Sequence, residues 1–142
     1  MATTRPTAAN VRSDLISEQT ALDEIVSELT DEQWAMATAS PRWSVADQIA
    51  HLAFFDETSA WAITDEDRFR ASLDDLAFAV DPSAGPTAVD DATLDSFRAM
   101  QPDKLLAAWR ANRQLLADAA ATLADDTRVI WYGPSMGARS FL

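Results

Sequence analysis

The apolar residues of this chain recur at intervals of three and four, and that spacing is the strongest limit on what it can fold into. Val11, Leu15, Leu22, Ile25 and Leu29 line one side of a helix from about Ala8 to Leu29, because residues so spaced stack above one another on a helical surface. Glu18 fills the slot between Leu15 and Leu22, where either a wetted rim carboxylate or a polar group facing the core is expected. Ser44, with Asp47 three residues on, has the form of an N-cap for a second helix reaching about Thr64. Within it Val45, Ile49, Leu52 and Phe55 gather on one side, while Ala46, Ala50, Ala53 and Glu57 turn away.

Phe69, Leu73 and Leu76 suggest a shorter helix over residues 65–79, ended by the turn "DPSAGP". Another short helix is expected over residues 89–99 with Leu94 and Phe97 inward. Pro102 suits the first turn of a long helix whose stripe is Leu105, Trp109, Leu116, Ala120 and Leu123, interrupted by Asn112. An extended piece over residues 128–132, a Gly-Pro turn and the start of a further helix near Ser135 close the pattern. Three long helices and several short ones predict an all-α bundle, one domain over residues 1–142, with functional groups projecting from facing helices into its core.

Composition narrows the partners. A net charge of -12, from 11 basic and 23 acidic residues, leaves no basic patch to neutralise phosphates, so neither nucleic acid nor an anionic membrane surface is expected. The absence of cysteine removes disulfides, thiolate metal sites and a cysteine nucleophile. The opening stretch lacks the apolar core of a secretory signal, and no apolar run approaches the roughly 20 residues that span a bilayer. A cytoplasmic location is the expectation.

The chemistry centres on His51, the single histidine. It flanks the apolar stripe of its helix, which suits a packing residue as well as a ligand or catalytic group. A metal site could draw only on this imidazole and on carboxylates. Three glycines are too few for a phosphate-cradling loop. The acidic run Asp65, Glu66, Asp67 lacks EF-hand spacing and reads as a helix start favoured by the dipole. The five tryptophans, Trp34, Trp43, Trp61, Trp109 and Trp131, suit core or rim packing.

Three stretches carry a family likeness. "PRWSVADQIAHLAFFDE" resembles the second-helix signature of DinB-like metal-binding bundles, in particular the N-terminal domain of mycothiol-dependent maleylpyruvate isomerases. "TRVIWYGPSMGARSFL" is similar to that family's segment before its last bundle helix, and "EQTALDEIVSEL" to its first helix. The resemblance covers essentially the whole chain. It implies a DinB-like four-helix bundle holding a divalent metal, commonly zinc, through three protein groups, one of them matched by His51.

By the same resemblance the other two ligands come from a Glu-x-x-x-His motif on the last helix. Mycothiol would then place its sulfur on the metal's open position, where the cation favours the thiolate. Asp47, Asp56 and Glu18 are candidate acceptors for the free N–H of a ligating imidazole, although the helical angle turns Asp56 away from His51, towards solvent or an interface. No second histidine is present, and the chain reads as lacking the last bundle helix. The expected partners are a small-molecule thiol and its substrate. The alternative is a non-catalytic bundle that acts as a homodimer, through apolar surface left uncovered at Leu105, Trp109 and Leu116.

Overall fold

The computed structural model describes residues 4–142; residues 1–3, part of the expected domain and of the opening stretch, lie outside the described residues. Helix α1 spans Ala8–Val26, α2 Asp31–Trp34, α3 Val45–Thr64, α4 Glu66–Ala79, α5 Ala88–Arg98 and α6 Pro102–Ala120. Two-residue strands β1 (Arg128–Val129) and β2 (Met136–Gly137) and the short α7 (Ala138–Phe141) follow. The fold is all-α, as expected.

Local capping sets most of these boundaries. Thr7 opens α1, its hydroxyl accepting from the Asn10 N–H while the Asn10 side chain accepts from the Thr7 N–H. The helix stops at Val26, short of the expected Leu29. The reason is a second capping box: Thr30 and Gln33 bond reciprocally and start α2, which the apolar spacing did not reveal. Ser44 and Asp47 make a third box at the head of α3. Asp65 ends α3 and starts α4, donating its N–H to the Trp61 carbonyl and accepting from the Arg68 N–H. Glu66 pairs with Arg70 one turn on, so the acidic run is a helix start. Pro102 takes the first turn of α6, where its missing N–H is not needed.

Helices α3 and α6 form the spine. Ile49, Ala50, Ala53 and Ala60 of α3 and Leu105, Trp109, Leu116 and Ala119 of α6 are all buried. The alanine face of α3, expected to turn away from the core, is instead packed, because small side chains let α3 and α6 approach closely. Asn112, which breaks the α6 stripe, donates its amide to the Ala53 carbonyl at 2.8 Å. Helices α4 and α5 flank α3.

Helix α1 rests mainly on α6. Its inward face carries Ala8, Asp23 and Val26, and Ile25, placed on the stripe by spacing, is 64% exposed. Arg110 and Arg113 of α6 explain this rotation, since both reach the Asp23 carboxylate at 2.6 Å. The surface expected to drive dimerisation is also corrected: Leu105, Trp109 and Leu116 lie beneath α3 rather than at an open face. Apolar surface is left uncovered in a groove between α1 and α3, lined by Leu15, Leu22, Ile25 and Leu52.

Candidate metal centre

His51 lies in α3, two turns beyond the Ser44 cap. Its ring sits between Trp43, at a centroid distance of 5.1 Å, and Phe55, at 4.7 Å. Phe55 in turn meets Trp131 at 6.3 Å and Tyr132 at 5.6 Å, and Trp131 stacks on Phe69 at 5.8 Å. The Tyr132 hydroxyl donates to Thr58 Oγ1 at 3.2 Å. The antiparallel pairing of Arg128 with Gly137 and of Val129 with Met136 anchors the segment that carries Trp131 and Tyr132. Two motifs some eighty residues apart in the chain thus join in one aromatic cluster on the His51 side of α3.

His51 is half-buried. Burial pulls its pKa below the ordinary histidine value, and the nearby charge of Asp90 only partly opposes this, which favours the neutral ring. Neutral imidazole is the form that ligates metals. Neither ring nitrogen bonds to another described residue, and neither is sealed from solvent. The described residues nevertheless supply one donor only: no group of three His, Cys, Asp or Glu side chains that could hold a metal ion occurs among them. They fit one corner of a metal site and do not close it.

None of the candidate supporting acids bonds to His51. Asp47 accepts from the Ser44 N–H at 3.0 Å and from Arg98 Nε at 3.0 Å. Burial pushes its carboxyl up, but the Ser44 N–H and the Arg98 guanidinium together hold it below the usual range. Glu18 is exposed on the rim of the α1–α3 groove. Asp56 departs furthest from expectation. Rather than facing solvent, it is only 8% exposed, and its Oδ2 accepts from Trp109 Nε1 and from Gln19 Nε2, each at 3.1 Å. Burial raises its pKa to about 6, against the opposing effects of the Trp109 hydrogen bond and the Arg113 charge.

The tryptophans are packing residues, as expected of them. Trp34 and Trp109 are buried, and Trp61 stacks under the Arg68 guanidinium at 4.2 Å. Sequence reasoning missed the Asp56–Trp109–Gln19 group. The available signal was a carboxylate one turn from Leu52 and Ala53 in the middle of an apolar helix. No described helix is long and apolar enough to cross a membrane.

Comparison with known proteins places this arrangement. The family model described as the mycothiol maleylpyruvate isomerase N-terminal domain matches residues 15–142. An uncharacterized protein of Mycobacterium tuberculosis, found in two strains, is 35% identical over 128 residues, covering 90% of this chain and 48% of its own length. The chain therefore spans about half the length of the curated relatives it matches. Among solved structures, a histidine-to-alanine mutant of the mycothiol-dependent maleylpyruvate isomerase superposes with a TM-score of 0.68 at 14% identity, over 96% of this chain and 54% of that one. At that identity the likeness speaks for the shared helical fold. With nine-tenths of its length matched, the chain belongs to the mycothiol maleylpyruvate isomerase N-terminal domain family.

Proposed function

We propose that this domain is the metal-binding part of a mycothiol-dependent isomerase or transferase, with His51 as one ligand to a divalent cation, zinc in the first instance. The observation that carries the reading is the setting of His51: an imidazole between the rings of Trp43 and Phe55, with no intramolecular hydrogen bond to occupy its nitrogens. By family likeness the remaining donors would be a glutamate and a histidine one turn apart, and His51 is the single histidine of this sequence. A cation held there would stabilise a thiolate near neutral pH, a role suited to a borrowed thiol in a chain without cysteine. A cytoplasmic protein with a small-molecule thiol and substrate as partners, and no nucleic acid or membrane partner, belongs to the same reading.

Zinc titration followed by imidazole NMR tests it. Zinc should broaden or shift the His51 ring resonances at micromolar to millimolar concentration, and His51→Ala should abolish the residual affinity. Ring resonances that do not respond to zinc would sink the reading. A second reading, a non-catalytic bundle that associates with itself, draws on the exposed Ile25 and the open α1–α3 groove. Sedimentation equilibrium separates the two, because only the second requires a dimer of the metal-free chain.

A further inference from the structure

Helices α4 and α5 both pack on α3, and an open cleft of about 340 Å³ lies between the three helices. Phe54, Glu57 and Trp61 line it from α3, at the spacing of three and four that sets residues on one helical face. Phe97 closes it from α5 and Asp75 borders it from α4. Phe97 is buried, while Phe54, Glu57 and Trp61 are half-buried. Thr58 is the least exposed of the lining residues, and its Oγ1 accepts from the Tyr132 hydroxyl at 3.2 Å. The cleft therefore abuts the aromatic cluster around His51 but does not include that residue.

The chemistry of the walls is one-sided. Three aromatic rings and two carboxylates line the space, and no basic residue does. Glu57 has no hydrogen bond or ion pair among the described residues: burial raises its pKa, and the cation that opposes this, Arg68, acts only through its charge at a distance. The Arg68 guanidinium is held instead over the Trp61 ring, 4.2 Å from the centroid, so one ring of the cleft already carries a cation on its face. A carboxylate partly withdrawn from water beside aromatic faces attracts a further cation more strongly than a solvated carboxylate does. A bare metal ion is the poorer occupant, because no three acidic or imidazole side chains converge to hold one among the described residues. The volume is that of a small organic molecule.

We propose that the cleft between α3, α4 and α5 binds a small organic cation, a protonated amine with an apolar body. Its ammonium group meets Glu57, and its body lies against Phe54, Trp61 and Phe97. Asp75 at the edge adds to the field that draws the cation in. The site is separate from the His51 centre and needs no metal.

Three probes of closely similar size and different charge test it: phenethylamine, 2-phenylethanol and 3-phenylpropanoate. Binding to the metal-free 142-residue chain is followed by NMR at the Trp61 indole N–H in about 150 mM salt, which screens attraction to the acidic surface at large. The amine should shift that resonance and bind about tenfold tighter than the alcohol, and the propanoate should bind least. Glu57→Gln should bring the amine and the alcohol within about twofold of each other. Ala92→Leu, which fills the cleft from the α5 side, should weaken both. No response of Trp61 to the amine up to about 10 mM, equal affinity of amine and alcohol, tightest binding of the propanoate, a preference that survives Glu57→Gln, or unchanged binding in Ala92→Leu would each overturn the proposal. If either variant does not fold, the three probes on the unmodified chain decide the matter. No arm contains a metal, so failure here is distinct from failure of the proposed function.

Discussion

The Trp109 indole donates its N–H to Asp56 Oδ2 at 3.1 Å, across the contact between α6 and α3. Trp109 is fully buried, so its N–H needs an acceptor. The carboxylate that supplies one must itself be taken out of water. The result is a polar knot inside the apolar spine of the bundle, completed by Gln19 of α1.

That knot sets a pH dependence. The Asp56 pKa is raised from 3.8 to about 6, so the folded state holds a proton that the unfolded chain gives up. The stability this contributes is fully present below pH 3.8 and is lost as the pH rises through about 6. The expected loss is roughly 2–3 kcal/mol. Asp56→Asn, which stays neutral, should therefore be relatively more stable at pH 7.5 than at pH 5 when compared with the unmodified chain. Urea melts at the two pH values measure this, and an unchanged difference between variant and parent would count against the assignment.

Asp23 works in the opposite direction. Its carboxylate is bonded by Arg110 at 2.6 and 2.8 Å and by Arg113 at 2.6 Å. The Arg110 hydrogen bond lowers its pKa, burial opposes this, and the charges of Arg113 and Arg110 lower it further. Its contribution is present above the unfolded value and is lost as the pH falls through the lowered folded value. Asp23→Ala should cost about 1–3 kcal/mol at pH 7 and loosen α1 from α6. Thermal unfolding gives the magnitude. Hydrogen exchange in α1 should rise while exchange in α3 stays slow.

At the head of α3, Ser44 accepts the Asp47 N–H at 3.1 Å. Ser44→Ala removes that bond and should lower stability by about 1 kcal/mol. Ser44→Asp should restore most of it, which a calorimetric comparison of the three proteins would show.

Burial of His51 between Trp43 and Phe55 lowers its pKa, so its ring should titrate below 6.5 by NMR. A lowered folded value means that this residue opposes folding once the pH drops below the unfolded value. Phe55→Ala, which opens the ring to water, should move the midpoint back up. A midpoint that does not move would show that these rings do not set its environment.

Much of the helical layout was legible because its causes are local. A cap satisfies backbone groups within four residues of itself, so Ser44 with Asp47, Asp65 and Pro102 announce α3, α4 and α6 close to their observed starts. The Thr30–Gln33 box that cuts α1 short was written in the same terms, but the apolar spacing running to Leu29 masked it. Periodicity likewise identified the buried stripe of α6 from Leu105 to Ala120.

What sequence alone determined, then, was where helices begin, most of where they end, and which stretches ally the chain with its family. Only the tertiary structure decided that the alanine face of α3 lies against α6, that Ile25 turns outward, and that Asp56 bonds to a tryptophan 53 residues away. The physical reason is that a helix carries its own hydrogen bonds, whereas the face it buries depends on which neighbours cross it, at what distance and with which charges to satisfy.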